Sequence, residues 1–219
     1  MQPMLRLFED TIAAGVTEVK LLALPRMIFV VHGTVTIDGK TLTDGEAWHG
    51  AGEAALIPGE AGVTVWRFEL APAGGGDSAA SGPGVVSREK LSAVLDTLPK
   101  GELLMRGDSV AFPPGGCAFP HRHAGPGIRC LIEGGIRIDT HGRSTCYGPG
   151  GAWYESGPEP VFAQAAADRP SRFIRVMILP RELLGRSSIE YLNEEDKSKP
   201  RAQQYRILAD APIARPARA

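Results

Sequence analysis

A chain of 219 residues with 43% hydrophobic and 22% charged residues has an ordinary globular composition and is long enough for one large or two small domains. Its formal net charge of −1 supplies neither a basic field for nucleic acid nor a cationic face for an anionic membrane, so both partner classes are set aside. The start carries acids where a secretory signal needs an apolar run, and no segment is long enough to span a bilayer, so a cytoplasmic location is expected. Cys117, Cys130 and Cys146 form no C-x-x-C pair and no regular framework, and are read as buried thiols.

Glycine and proline are frequent and dispersed, which favours many short strands joined by tight turns. Residues 18–38 hold two apolar runs and end in Thr-Val-Thr-Ile-Asp38-Gly39, a hairpin signal. Short apolar stretches follow at 54–57 and 63–70, so residues 1–84 read as an all-β unit. Residues 71–84, rich in Gly, Ala and Ser, have linker composition and mark the boundary. Ser87 followed by Leu91, Val94, Leu95 and Leu98 gives the spacing of a capped amphipathic helix, taken as a connecting helix. The β pattern resumes at 102, so residues 85–219 are assigned to that helix, a second β unit and a polar tail from Glu190 expected to wrap over the surface or a partner subunit.

The second half repeats the first. Pro25 through His32-Gly33 matches Pro126 through Glu133-Gly134, 101 residues on, and Gly45-Glu-Ala47-Trp48 matches Gly150-Gly-Ala152-Trp153, 105 residues on. Arg67-Phe68 is matched with Arg172-Phe173 at the same second offset, and an insertion near Thr140-His141-Gly142 accounts for the change.

His121 and His123 stand two apart, so a strand places both imidazoles on one face. The first offset sets them against Lys20 and Leu22, so the first half has no such pair. Gly115, His121, His123 and Gly134 resemble the first signature of the cupin superfamily, whose spacing is Gly, five residues, His-x-His, three or four residues, Glu, six residues, Gly. Because the pattern is doubled, the chain resembles a bicupin, which implies an all-β fold of two tandem double-stranded β-helix (jelly-roll) barrels with the short connecting helix between them. The chain departs from the family in two places. The signature's metal-binding Glu falls on Gly127, and the second signature, anchored on Gly157, places Glu155 at its Pro, Pro160 at its His and Gln164 at its Asn.

The resemblance implies one divalent transition metal, Fe, Mn, Ni, Zn or Cu, in the second barrel, held by His121, His123 and a third ligand. Glu155 is the preferred third ligand and Glu133 the other candidate; either completes a two-His, one-carboxylate set of the kind non-haem Fe(II) oxygenases use. Arg129 among apolar neighbours is expected either to clamp a substrate carboxylate or to pair with Glu133 or Glu155. Phe119 and Tyr154 are taken with Gln164 as substrate-binding positions, the aromatic residues being core otherwise. Three functions stay open: a dioxygenase-like metal enzyme acting on a small organic molecule, a metal-free small-molecule-binding bicupin, and a metal-dependent lyase or isomerase. A homodimer is the expected assembly.

Overall fold

Two glycines set the course of the chain. In the computed structural model, which describes residues 2–75 and 78–216, φ is +95° at Gly33 and +85° at Gly134. A Cβ at Gly33 would stand 2.4 Å from the Gly62 carbonyl oxygen, and one at Gly134 would stand 2.3 Å from that of Pro170. Only glycine reaches this backbone region freely while letting another strand pass so close, and at both places the chain bends from one face of its unit toward the other.

The chain divides into two compact units, residues 1–96 with the segment from 213 onward, and residues 97–212. The first contains β1 (Met4–Ile12), β2 (Val19–Leu21), β3 (Arg26–Ile37), β4 (Lys40–Leu42), β5 (Ala47–Gly50), β6 (Ala54–Ala71) and β7 (Val85–Val94). The second opens with β8 (Leu103–Phe112), β9 (Cys117–His123), β10 (Gly127–Glu133), β11 (Ile136–Thr140), β12 (Arg143–Tyr147) and β13 (Ala152–Glu155). It continues through β14 (Val161–Ala165), β15 (Ser171–Pro180), β16 (Ile189–Tyr191), the one-turn helix α1 (Glu194–Lys197) and β17 (Gln204–Ile213), which runs to its boundary.

The second unit is two five-stranded sheets, β13-β10-β15-β8-β17 and β12-β11-β14-β9-β16. The first unit has the same strand order, but its long β3 and β6 each continue across the bend, so its two faces stay joined as one seven-stranded sheet. Turn hydrogen bonds repeat as well. Gly45 N–H donates to Val30 O at 2.9 Å and Gly150 N–H to Leu131 O at 2.7 Å, while Val30 and Leu131 N–H donate back to Glu46 O and Gly151 O, each at 2.9 Å. The chain is thus all-β, two tandem jelly-roll units each closed over its own apolar interior. Ile28, Val30, Val35 and Leu56 sit in one; Val110, Leu131, Ile138 and Phe173 sit in the other. Full burial of each such side chain contributes about 1.5–3 kcal/mol. No helix among the described residues is long and apolar enough to cross a membrane.

The expected helix after Ser87 is instead strand β7, antiparallel to β1. Leu91, Ala93 and Leu95 also fit period two, and the free edge of β1 offers backbone partners that an isolated amphipathic turn does not. The connecting helix is therefore absent among the described residues, and residues 85–96 belong to the first unit. The Gly/Ala/Ser-rich stretch is not an inter-unit linker. Ala71 ends β6, Ala80 is buried in the first core, and Gly76 and Asp77 lie outside the described residues. The polar tail forms β16, α1 and β17, with β17 at the edge of a sheet. Of the thiols only Cys130 is buried; Cys146 is exposed on β12. The cross-strand register corrects one repeat assignment. Arg67 lies opposite Ile28 and Arg175 opposite Arg129, so Arg175, not Arg172, is the counterpart of Arg67.

Candidate functional site

Across the sheet β13-β10-β15-β8 of the second unit, each strand contributes a buried charge to one row: Glu155, Arg129, Arg175 and Asp108. Arg129 and Arg175 are directly opposite in register, and two like charges so placed repel. A carboxylate on each outer strand offsets this. Arg175 donates from Nε to Asp108 Oδ1 at 2.9 Å and from Nη2 to Oδ2 at 2.6 Å, the bidentate pairing of a guanidinium with a carboxylate. Arg129 Nη2 stands 2.7 Å from Glu155 Oε2, its Nη1 donates to Gly127 O at 2.7 Å, and Trp153 Nε1 donates to Glu155 Oε1 at 2.9 Å. Burial pushes Arg129 down to about 10 against the attraction of Glu155, which leaves it charged at neutral pH. Burial also opposes charge on Arg175, but Asp108 outweighs it and holds this guanidinium above its ordinary value.

The two imidazoles hang over this row from β9 of the opposite sheet, with ring centroids 4.9 Å apart. His121 Nδ1 lies 2.7 Å from Phe119 O, which can only accept, so Nδ1 carries the proton and Nε2 is the open nitrogen. Burial lowers the His121 pKa despite Glu155 and Phe119, and burial with Arg175 and Arg129 lowers that of His123 well below the ordinary value. Both rings are neutral near pH 7. The cavity that the row and the rings enclose is about 20 Å³, room for about one water molecule.

The donor set does not fit the metal that the cupin resemblance implies. Arg175 Nη1 lies 3.3 Å from His123 Nε2, and since a guanidinium has only donors, the lone pair a metal would take is accepting that N–H. Glu155 Oε2 is 3.7 Å from His123 Nε2 but is held by Arg129. A dication here would enter a buried space already facing two guanidiniums. Among the described residues, no group of three or more His, Cys, Asp or Glu side chains is placed to hold a metal ion.

The structure thus brings His121, His123, Glu155 and Arg129 together, and Arg129 takes its ion-pairing role with Glu155. The other expected positions fall outside the cavity. Tyr154 is on the face of β13 opposite Trp153 and Glu155, and the Phe119 ring lies 4.8 Å from Lys199 Nζ. Gln164 Nε2 donates to Gly115 O at 2.7 Å, and Glu133 is paired with Arg172 near the surface at 2.7 Å. Sequence reasoning missed Asp108 and Arg175. Arg175 lies in the apolar stretch Phe173-Ile-Arg-Val-Met-Ile, the signal that singled out Glu155, since a charge there is costly unless paired, whereas Asp108 within Arg106-Gly-Asp-Ser109 gives no such signal. The first unit has its own buried network, Arg26 with Glu69, Glu69 with Arg67 and Arg67 with Asp10, at 3.0, 2.6 and 2.6 Å. The inward positions of its β2 hold Val19 and Leu21, so it has the charges and not the imidazoles.

No family model and no curated protein matches this sequence. Solved structures do match in fold. A deletion mutant of Bacillus subtilis oxalate decarboxylase OxdC is 11% identical, with 89% of this chain covering 73% of that one at a TM-score of 0.63. AerE from Microcystis aeruginosa is 15% identical, with 82% of this chain covering 89% of that one at a TM-score of 0.54. A cupin 2 conserved barrel domain protein from Leptotrichia buccalis also matches, at 14% identity, 81% and 84% coverage and a TM-score of 0.49. At such identities the likeness is one of fold, and the fold is that of the cupins.

Proposed function

We propose that this chain is a small-molecule-binding bicupin whose second barrel works without a resident metal ion, assembled as a homodimer. The observation that carries the reading is the contact of Arg175 Nη1 with His123 Nε2 at 3.3 Å: the protein's own cation stands where a metal would draw on the imidazole. Arg129 on Glu155 supports it from the other side, leaving no free carboxylate for a two-His, one-carboxylate set. The test is metal analysis of the purified full chain, repeated after incubation with Mn(II), Fe(II) and Zn(II), beside His121→Ala and His123→Ala. Substoichiometric metal in all three proteins, with no gain in thermal stability on metal addition, is the expected result. Stoichiometric metal in the parent that both variants lose overturns it.

One observation favours the second reading, a metal-dependent enzyme with dioxygenase-like or lyase chemistry. The Phe119 carbonyl fixes the His121 tautomer and leaves Nε2 open on a ring that lines the cavity, as a carbonyl behind a metal-ligating histidine does. That reading requires Arg175 to leave His123, and the same metal analysis decides between the two.

A further inference from the structure

The 20 Å³ cavity holds no organic molecule, so a ligand of the second barrel needs other space. A cleft of about 260 Å³ adjoins it, sharing Arg175 and Tyr205. We infer that this cleft binds a small organic dianion, a dicarboxylate or a phosphate monoester, whose charged groups meet Arg186 and Arg201 and whose apolar body rests on Tyr205 and Ile207. The inference rests on the small-molecule-binding reading above and names its site and ligand class.

Charge is the first argument. Four arginines and two aspartates line the cleft. Arg175 is taken up by Asp108, and Arg106 by Asp210, with Nε to Oδ1 at 3.0 Å and Nη2 to Oδ2 at 2.9 Å. Those two pairs are internally neutral. Arg186 and Arg201 have no carboxylate within ion-pair distance among the described residues, and Arg201 instead lies over the Tyr191 ring, its Cζ 5.5 Å from the centroid. Two uncompensated guanidiniums at the rim match two negative charges, and their planar forks suit carboxylate and phosphate oxygens alike.

Rigidity is the second. The loop that carries Arg186 is fastened to the barrel wall by buried groups. Arg106 donates from Nη1 to Arg186 O and from Nη2 to Leu183 O, each at 2.6 Å, and Gly185 N–H donates to Asp210 Oδ2 at 2.8 Å. The backbone at the cleft is held before any ligand arrives, which lowers the ordering cost of binding. Tyr205 and Ile207 stand on one face of β17, 42% and 54% exposed. Beside a charged rim, such an apolar surface suits the body of an organic ion better than a bare inorganic one.

The full chain, stripped of metal and checked by metal analysis, is titrated calorimetrically with phthalate, phenyl phosphate, benzoate and benzamide. Saturable binding of phthalate or phenyl phosphate is expected, at least about tenfold tighter than benzoate, with none for benzamide; whichever dianion binds identifies the headgroup. Arg186→Gln and Arg201→Gln, both at exposed positions, each weaken that binding about three- to sixfold, on the scale of an exposed ion pair, while Arg143→Gln on β12 leaves it unchanged. Binding of neither dianion, equal binding of benzamide, or affinities untouched by the two cleft substitutions overturns the inference. Metal found at stoichiometry in the purified chain before stripping would instead overturn the parent reading, so the two failures are separable.

Discussion

Arg175 lies between two partners, giving Asp108 a bidentate pair and His123 Nε2 a single N–H at 3.3 Å. The contact joins the two sheets of the second unit, since Arg175 is on β15 and His123 on β9. It also makes the buried charges interdependent: removing one leaves its neighbour buried and uncompensated, whereas removing a matched pair does not. Arg175→Met is therefore expected to lower unfolding stability by about 3–5 kcal/mol, and Asp108→Leu by a similar amount. The double variant should lose less than the sum by roughly 2 kcal/mol or more. Urea denaturation of the four proteins gives the coupling, and additive losses would contradict the proposed row of paired charges.

Acid should weaken the fold through the same rings. His121 and His123 are both held below the ordinary imidazole value of about 6.5, burial being the largest cause. Where a folded pKa is depressed, the unfolded chain binds the proton more readily, so this contribution is fully present above 6.5 and lost as pH falls below it. The limiting slope is about 1.4 kcal/mol per pH unit for each histidine between its unfolded and folded pKa. Denaturant midpoints measured from pH 7.5 to 5 should decline on the acid side, and His123→Gln should flatten that decline. An unchanged slope in the variant would show that other groups set the acid limit.

Much of the fold is visible in residues because its cues are local. The matched glycines at 33 and 134 and at 45 and 150 mark the same turns in both halves, and the positive φ at all four explains why glycine recurs there. Residues 85–94 were less decidable, since Leu91, Val94, Leu95 and Leu98 satisfy a helical spacing while Leu91, Ala93 and Leu95 satisfy a strand; the open edge of β1, far away in sequence, decides. The site divides in the same way. His121 and His123 stand two apart in the chain and declare themselves, but the partner of Glu155 is on another strand and that of Arg175 is 67 residues away. Nothing local shows that the carboxylate and the imidazole of a metal set are both already engaged by guanidiniums.

The bend glycines differ from turn glycines in what an added methyl meets. At Gly134 φ is +85° and a Cβ would stand 2.3 Å from the Pro170 carbonyl oxygen, a backbone atom that cannot rotate away. At Gly142 φ is +67° and nothing lies within 4 Å. Gly142→Ala should cost about 1 kcal/mol, the conformational penalty alone. Gly134→Ala should cost clearly more, roughly 2–4 kcal/mol, because the β10–β11 bend and the strand beneath it must separate. Urea midpoints at unchanged m-value measure both. Equal costs would mean that the second unit tolerates a shift at the bend.

The three thiols report on the second unit without altering its charges. Cys146 is exposed on β12, Cys117 is partly covered on β9 and Cys130 is buried on β10. Burial, with Asp196 nearby, raises the Cys117 pKa against the pull of Lys199, so less of it is thiolate at neutral pH. Since the thiolate is the reacting species, the native chain should show one fast thiol with a chromogenic disulfide reagent, a second slower by at least about tenfold, and a third that reacts only in denaturant. Cys146→Ser should remove the fast phase alone, and Cys130→Ser the denaturant-dependent one. Fast reaction of Cys130 in the native protein would place β10 away from the interior and, with it, Arg129 outside the buried row that the proposed metal-free site depends on.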